Sequence, residues 1–86
     1  MPVKPIRLNR HSNSRSTLRG TSYSEIEETI QSEKWESAEQ GRLECRRNFK
    51  FEKEWNGKFY KTKQVRPIFV EEEKEIVVIT IYVYYF

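Results

Sequence analysis

His11, Arg15 and Arg19 stand four residues apart, and His11 is the only histidine in the 86-residue chain. An α-helix turns every 3.6 residues, so positions i, i+4 and i+8 fall along one face. One titratable imidazole and two permanent guanidinium cations would then project the same way. Such a set can hold a phosphate and move a proton beside it. The same spacing also describes a solvated basic face carrying an incidental histidine.

The elements that must position these residues are legible in outline. Residues 1–9 read as an extended N-terminal tail, because Pro2 and Pro5 argue against helix. A first helix is expected over about His11–Arg19, with Gly20 as its stop. A second helix follows, capped by Ser22 or Ser24, with glutamates crowding its first turns where the helix dipole favours them. Tyr23, Ile26 and Ile30 form its apolar stripe, and Trp35 is a core anchor beyond it.

From Leu43 the period becomes two. Leu43, Cys45, Phe49 and Phe51 share one face; Glu44, Arg46, Asn48 and Lys50 share the other. Arg47 interrupts the apolar face, either as an edge residue or aimed into a cleft. Asn56-Gly57 is a hairpin turn whose two central residues need positive φ. The return strand runs from Phe59 to about Val70, and Pro67 demands an edge position or a bulge within it. Glu71–Lys74 form the next turn. The final strand, Ile76–Phe86, is too apolar to be an exposed edge, so it lies centrally or against a partner, a second copy of the chain included. Val77, Ile79, Ile81 and Val83 would meet the helices, leaving Thr80, Tyr82 and Tyr84 on the opposite face. Two helices followed by an antiparallel meander predict one α+β domain over residues 10–86. Two N-terminal helices would pack on a three- to four-stranded antiparallel sheet.

Composition narrows the chemistry. The net charge of +3 conceals segregation: residues 1–24 carry five cations and no acid, and residues 42–66 carry nine cations against three glutamates. The acidic block between them, residues 25–41, has six glutamates against Lys34. A molecule with a cationic side steers polyanions such as RNA. One cysteine and one histidine cannot furnish a zinc site, there is no aspartate for a two-metal centre, and three glycines build no phosphate loop. No cofactor or metal is expected. No run of about 18 apolar residues occurs, so no membrane partner is expected. The unpaired Cys45 and the lack of an apolar leader point to the cytoplasm.

The pattern His11-x3-Arg15-x3-Arg19-Gly20, followed by Ser24-Glu25-Ile26-Glu27-Glu28-Thr29-Ile30 and strands ending in Val78-Ile79-Thr80-Ile81-Tyr82, resembles the family called domain of unknown function 4258. That family is regarded as related to RelE-like and barnase-like toxins, small metal-independent ribonucleases often encoded beside an antitoxin. The resemblance spans roughly residues 6–84. It implies a RelE-like two-layer fold, an RNA substrate and a cognate antitoxin as partner, and it carries the family's histidine and helix arginines onto His11, Arg15 and Arg19. Thr21 stands where an aliphatic residue is usual, and the segment Trp55–Lys63 is longer and more basic than the family pattern.

Metal-free RNA cleavage uses the substrate's own 2′-hydroxyl and needs a base, an acid and cations around phosphorus. His11 would be base or acid, with Tyr82 or Tyr84 as its partner and Thr80 as a hydrogen-bond donor. Arg15, Arg47, Lys61 and Lys63 would cradle phosphate; Arg19 would contact phosphate or dock the helices. Two other classes use the same residues differently. A non-catalytic RNA-binding module would stack bases on Trp55, Phe59 and Tyr60. A protein-interaction domain would pair through its C-terminal strand.

Overall fold

The computed structural model describes residues 4–86, so Met1–Val3 of the N-terminal stretch lie outside the described residues. Asn9 starts the first helix by accepting the Ser12 N–H on its side chain at 2.8 Å, which satisfies one of the donors a helix N-terminus leaves open. Helix α1 covers Arg10–Arg19. Gly20 ends it in the left-handed region (φ 82°) and donates its N–H to the carbonyls of Ser16 and Thr17.

Gly20 is required twice over. Its backbone is left-handed, and a Cβ there would collide with the Tyr85 hydroxyl and lie 2.7 Å from Trp55 Cη2. Gly20→Ala is expected to cost about 2–4 kcal/mol, the sum of backbone strain and overpacking. Urea unfolding measures it, and an Ala variant as stable as the parent would refute the close approach.

Helix α2 (Tyr23–Ser32) is capped by Ser22, whose hydroxyl accepts the Glu25 N–H. Its buried face is Ile26, Thr29 and Ile30. Tyr23 is largely exposed but donates its phenol hydrogen to the Ile6 carbonyl at 2.7 Å, so the stripe is shifted toward Thr29.

Six strands complete the chain: β1 (Ile6–Leu8), β2 (Glu36–Ser37), β3 (Leu43–Glu44), β4 (Arg47–Trp55), β5 (Lys58–Glu71) and β6 (Ile76–Tyr85). The sheet runs β1-β6-β5-β3-β2, and β4 pairs with the first half of β5 while β3 pairs with its second half. The fold is therefore α+β with two helices. The sheet, however, is six-stranded and mixed, not a three- to four-stranded antiparallel meander. Two short additions and one division account for the difference: the strand expected from Leu43 onward is split into β3 and β4, which pair with different halves of β5. Ile6–Leu8 of the N-terminal stretch pair in parallel with Ile76–Val78, and Glu36–Ser37 fold back on β3 through a short turn in which Gln40 and Gly41 have positive φ.

The Asn56-Gly57 turn has positive φ at both residues (51° and 83°) and joins Trp55 to Lys58. Pro67 pairs with Ile81 in the middle of β5. It falls in the gap between β3, which reaches Ile68, and β4, which stops at Val65, so no neighbouring strand requires its missing N–H.

The core joins α2 to the sheet: Ile26 and Ile30 pack with Ile6, Val65, Phe69, Ile76, Val78 and Ile81. Trp35 meets Phe69 edge-on with ring centres 5.0 Å apart. The inward face of β6 departs from strict alternation. Register skips between Ile68/Thr80 and Phe69/Val78, so Ile79 is a bulge. Ile76 and Val78 face the core before it, Ile81 and Val83 after it. Val77 and Ile79 are thus not the core-facing pair that uninterrupted alternation assigned. Beyond the bulge the expected phase holds, and Thr80, Tyr82 and Tyr84 share the other face.

Candidate functional site

Helix α1 lies along β6, tied by Ser12 Oγ donating to the Val78 carbonyl at 2.8 Å. This brings the basic side of α1 to the strand just where the bulge has fixed its phase. His11 Nε2 lies 3.2 Å from Thr80 Oγ1. Arg15 is one turn further along the same helix side. Arg19 donates to the Ile81 carbonyl at 2.7 Å and holds its guanidinium 5.4 Å from the centre of the Tyr82 ring. Arg19 is therefore a docking residue of α1 and a member of the cluster at once.

A second guanidinium completes the arrangement. Arg66 pairs across the sheet with Tyr82 and lies 5.5 Å from the same ring centre. Its Nη1 donates to the Tyr84 hydroxyl at 3.2 Å, and its Nε donates to Glu44 Oε1. Tyr82 is thus flanked by Arg19 and Arg66, an electrostatically favourable contact for both cations. Tyr82 and Tyr84 keep 39% and 42% of their surface exposed, which leaves both phenols accessible from outside.

The hydrogen bond from Arg66 holds the Glu44 carboxyl below its ordinary range, against the opposing effect of burial. A carboxylate so favoured in the folded state adds stability above the ordinary glutamate pKa of about 4.3. That contribution is lost as the pH falls through the lowered folded-state value. Glu44→Gln is expected to be less stable than the parent at neutral pH and to show a shallower loss of stability on acidification. Urea unfolding across a pH series reads this out; parallel curves would refute the coupling.

A groove of about 620 Å³ opens beside this cluster, between the Glu39–Arg42 turn and Thr80–Tyr82, with Glu44, Arg66 and Ile68 in its floor. A smaller cleft of about 270 Å³ lies at the other side of Tyr82, walled by Leu18, Arg19, Trp55 and Tyr84. Trp55 is stacked on Tyr85 at 5.0 Å with an 18° interplanar angle, and Tyr85 donates its phenol hydrogen to the Arg19 carbonyl. The aromatic wall therefore also fixes the end of α1.

The remaining candidates lie elsewhere. Arg47 is the edge residue of the two alternatives, on β4, which pairs with β5 on one side, and it is not free: it pairs with Glu28 and Glu33 of the α2 region at 2.9 and 2.8 Å. Lys63 is 7% exposed, and its ammonium is held by Glu25 Oε1 at 2.8 Å and the Gly20 carbonyl at 2.9 Å. Both fasten helices to the sheet and are not presented to the groove. Lys61 is exposed on β5, one residue past the Thr62–Phe86 pairing that ends the contact with the C-terminus. Cys45 is buried with its thiol directed to the Thr29 carbonyl, and burial, reinforced by Glu33 and Glu44, pushes its pKa up to about 12. It is a small apolar filler.

The structure thus brings together His11, Arg19, Thr80, Tyr82 and Tyr84, leaves Arg15 one helical turn beyond His11, and engages Arg47 and Lys63 with glutamates of the α2 region instead. It adds Arg66 and its partner Glu44, which sequence reasoning missed. Among the described residues no three His, Cys, Asp or Glu side chains converge as metal ligands would. No helix among them is long and apolar enough to cross a membrane. Comparison with protein-family models, with curated proteins and with solved structures finds no match to this chain.

Proposed function

We propose that this chain is a small metal-independent endoribonuclease of the RelE-like toxin type, acting on RNA at the His11–Thr80–Tyr82 cluster. The observation that carries the reading is the meeting of one imidazole, two guanidinium groups and two accessible phenols on one sheet face. His11 takes the proton of the substrate's 2′-hydroxyl, whose oxygen attacks phosphorus. The bond from phosphorus to the 5′-oxygen breaks, and that oxygen needs a proton. Tyr84 is suited to give it, because a hydrogen bond from Arg66 stabilises the phenolate it leaves behind. Arg19 and Arg66 neutralise charge growing on the phosphorane, and Arg15 steers the polyanion toward them. Thr80 orients the imidazole.

The products are a 2′,3′-cyclic phosphate and a 5′-hydroxyl. The test is incubation of the full chain with single-stranded RNA in EDTA, followed by analysis of the new ends. Cleavage with those ends supports the assignment. Binding without cleavage would replace it with an RNA-binding module using the same face. A cognate antitoxin would silence the enzyme by covering this groove.

A further inference from the structure

We infer that the groove and the cleft on either side of Tyr82 are two adjoining nucleobase subsites, so that the recognised unit is a dinucleotide step of single-stranded RNA. The inference rests on the nucleic-acid reading above and adds to it the form of the substrate. The two cavities have different chemistry. The larger is mostly polar: Ile68 lies in its floor between Glu44 and Arg66, the Tyr82 ring is on its wall, and Arg42 and Glu39 add a donor and an acceptor at its edge. A flat base with a polar edge meets both needs there, its face against Tyr82 and its edge on the charged groups.

The smaller cleft offers the Trp55 and Tyr84 rings, the Leu18 side chain and the Arg19 guanidinium. It stacks a base and reads little of its edge, because every base has a π-face. Tyr82 is the wall common to both cavities, and Arg19 and Arg66 flank it. A phosphate joining a base in one cavity to a base in the other would therefore lie over the two guanidinium groups, beside His11. Bases paired inside a duplex expose neither face to such cavities, so duplex RNA is excluded. Sequence preference resides in the groove, at one nucleotide, and not in the cleft.

The test uses dinucleotides whose first sugar is 2′-deoxy, which bind but cannot be cleaved by 2′-hydroxyl attack. Titration followed by NMR on the full chain should move the Trp55 indole signal and the Gln40 and Arg42 amides together, leaving the buried-side Trp35 indole in place. A dinucleotide should bind at least about tenfold tighter than either component mononucleotide, as linked sites do. Leu18→Ala, at a residue 68% exposed in the last turn of α1, removes the apolar wall of the cleft without adding charge or a poor helix former, and should lower dinucleotide affinity toward the mononucleotide level without lowering thermal stability. Arg42→Ala should reduce discrimination among bases. Equal affinity for mono- and dinucleotides, shifts confined to one cavity, or equal binding of a duplex would overturn the inference. Because the probe is not cleaved, two-site binding by a chain that cleaves nothing would overturn the enzyme reading alone. Cleavage by a chain that binds mononucleotides equally well would overturn the subsites alone.

Discussion

His11→Ala should slow RNA cleavage by about 10²–10⁴-fold, the usual contribution of a positioned proton-transfer group. The fold should survive the change. His11 is exposed on α1, its hydrogen bond is to the Thr80 hydroxyl, and alanine is the better helix former. Helix α1 stays anchored through Asn9, Ser12 and Arg19, none of which depends on the imidazole. Affinity for a 2′-deoxy analogue should be largely unchanged, because a group acting on the proton in flight contributes little to ground-state binding. Arg15→Ala should behave differently and weaken binding along with rate, since its charge acts on phosphate throughout. Single-turnover rates on one RNA, with circular dichroism and affinity for the deoxy analogue, separate the cases. A fully active His11→Ala protein would remove histidine from the mechanism.

The parts of this site that the sequence disclosed are those governed by local rules. His11, Arg15 and Arg19 share a side because a helix repeats every 3.6 residues, and Gly20 stops that helix because only glycine is comfortable in its left-handed backbone. Tyr82 and Tyr84 share a face by strand alternation, and the hairpin at Asn56-Gly57 follows from its φ values. What the sequence concealed depends on register between distant strands. Arg66 reaches Tyr82 only because β5 and β6 pair as they do, and the Ile79 bulge that sets this pairing leaves no mark in an all-apolar run. The same bulge puts Ile76 and Val78, not Val77 and Ile79, toward the core. Arg47 and Lys63 misled for a related reason: a cation in a strand reads as exposed until the glutamate that neutralises it is brought over from α2. Strands as short as Ile6–Leu8 and Glu36–Ser37 carry too few residues to show a period, so the sheet was larger than its pattern indicated.

Arg66→Ala should slow cleavage by about 10²–10³-fold, the scale set by removing one preorganised donor from a developing oxyanion. It should also destabilise the protein, because the largely covered Glu44 carboxylate loses its main donor and keeps only the more distant Arg46, at 3.7 Å. The two effects have separate physical origins, and a second substitution divides them. In the Arg66→Ala/Glu44→Gln double variant no covered charge is left unpaired, since Arg46 is solvent-exposed, so stability should return toward that of Glu44→Gln alone. Cleavage should not return, since neither substitution restores a cation beside Tyr82 and Tyr84. Arg66→Lys should rescue poorly, because one ammonium cannot donate to Glu44 and Tyr84 and still present a planar fork to phosphate. Urea unfolding and single-turnover cleavage on the four proteins give a double-mutant cycle in each quantity. Recovery of cleavage together with stability in the double variant would show that Arg66 acts only by holding the sheet face together.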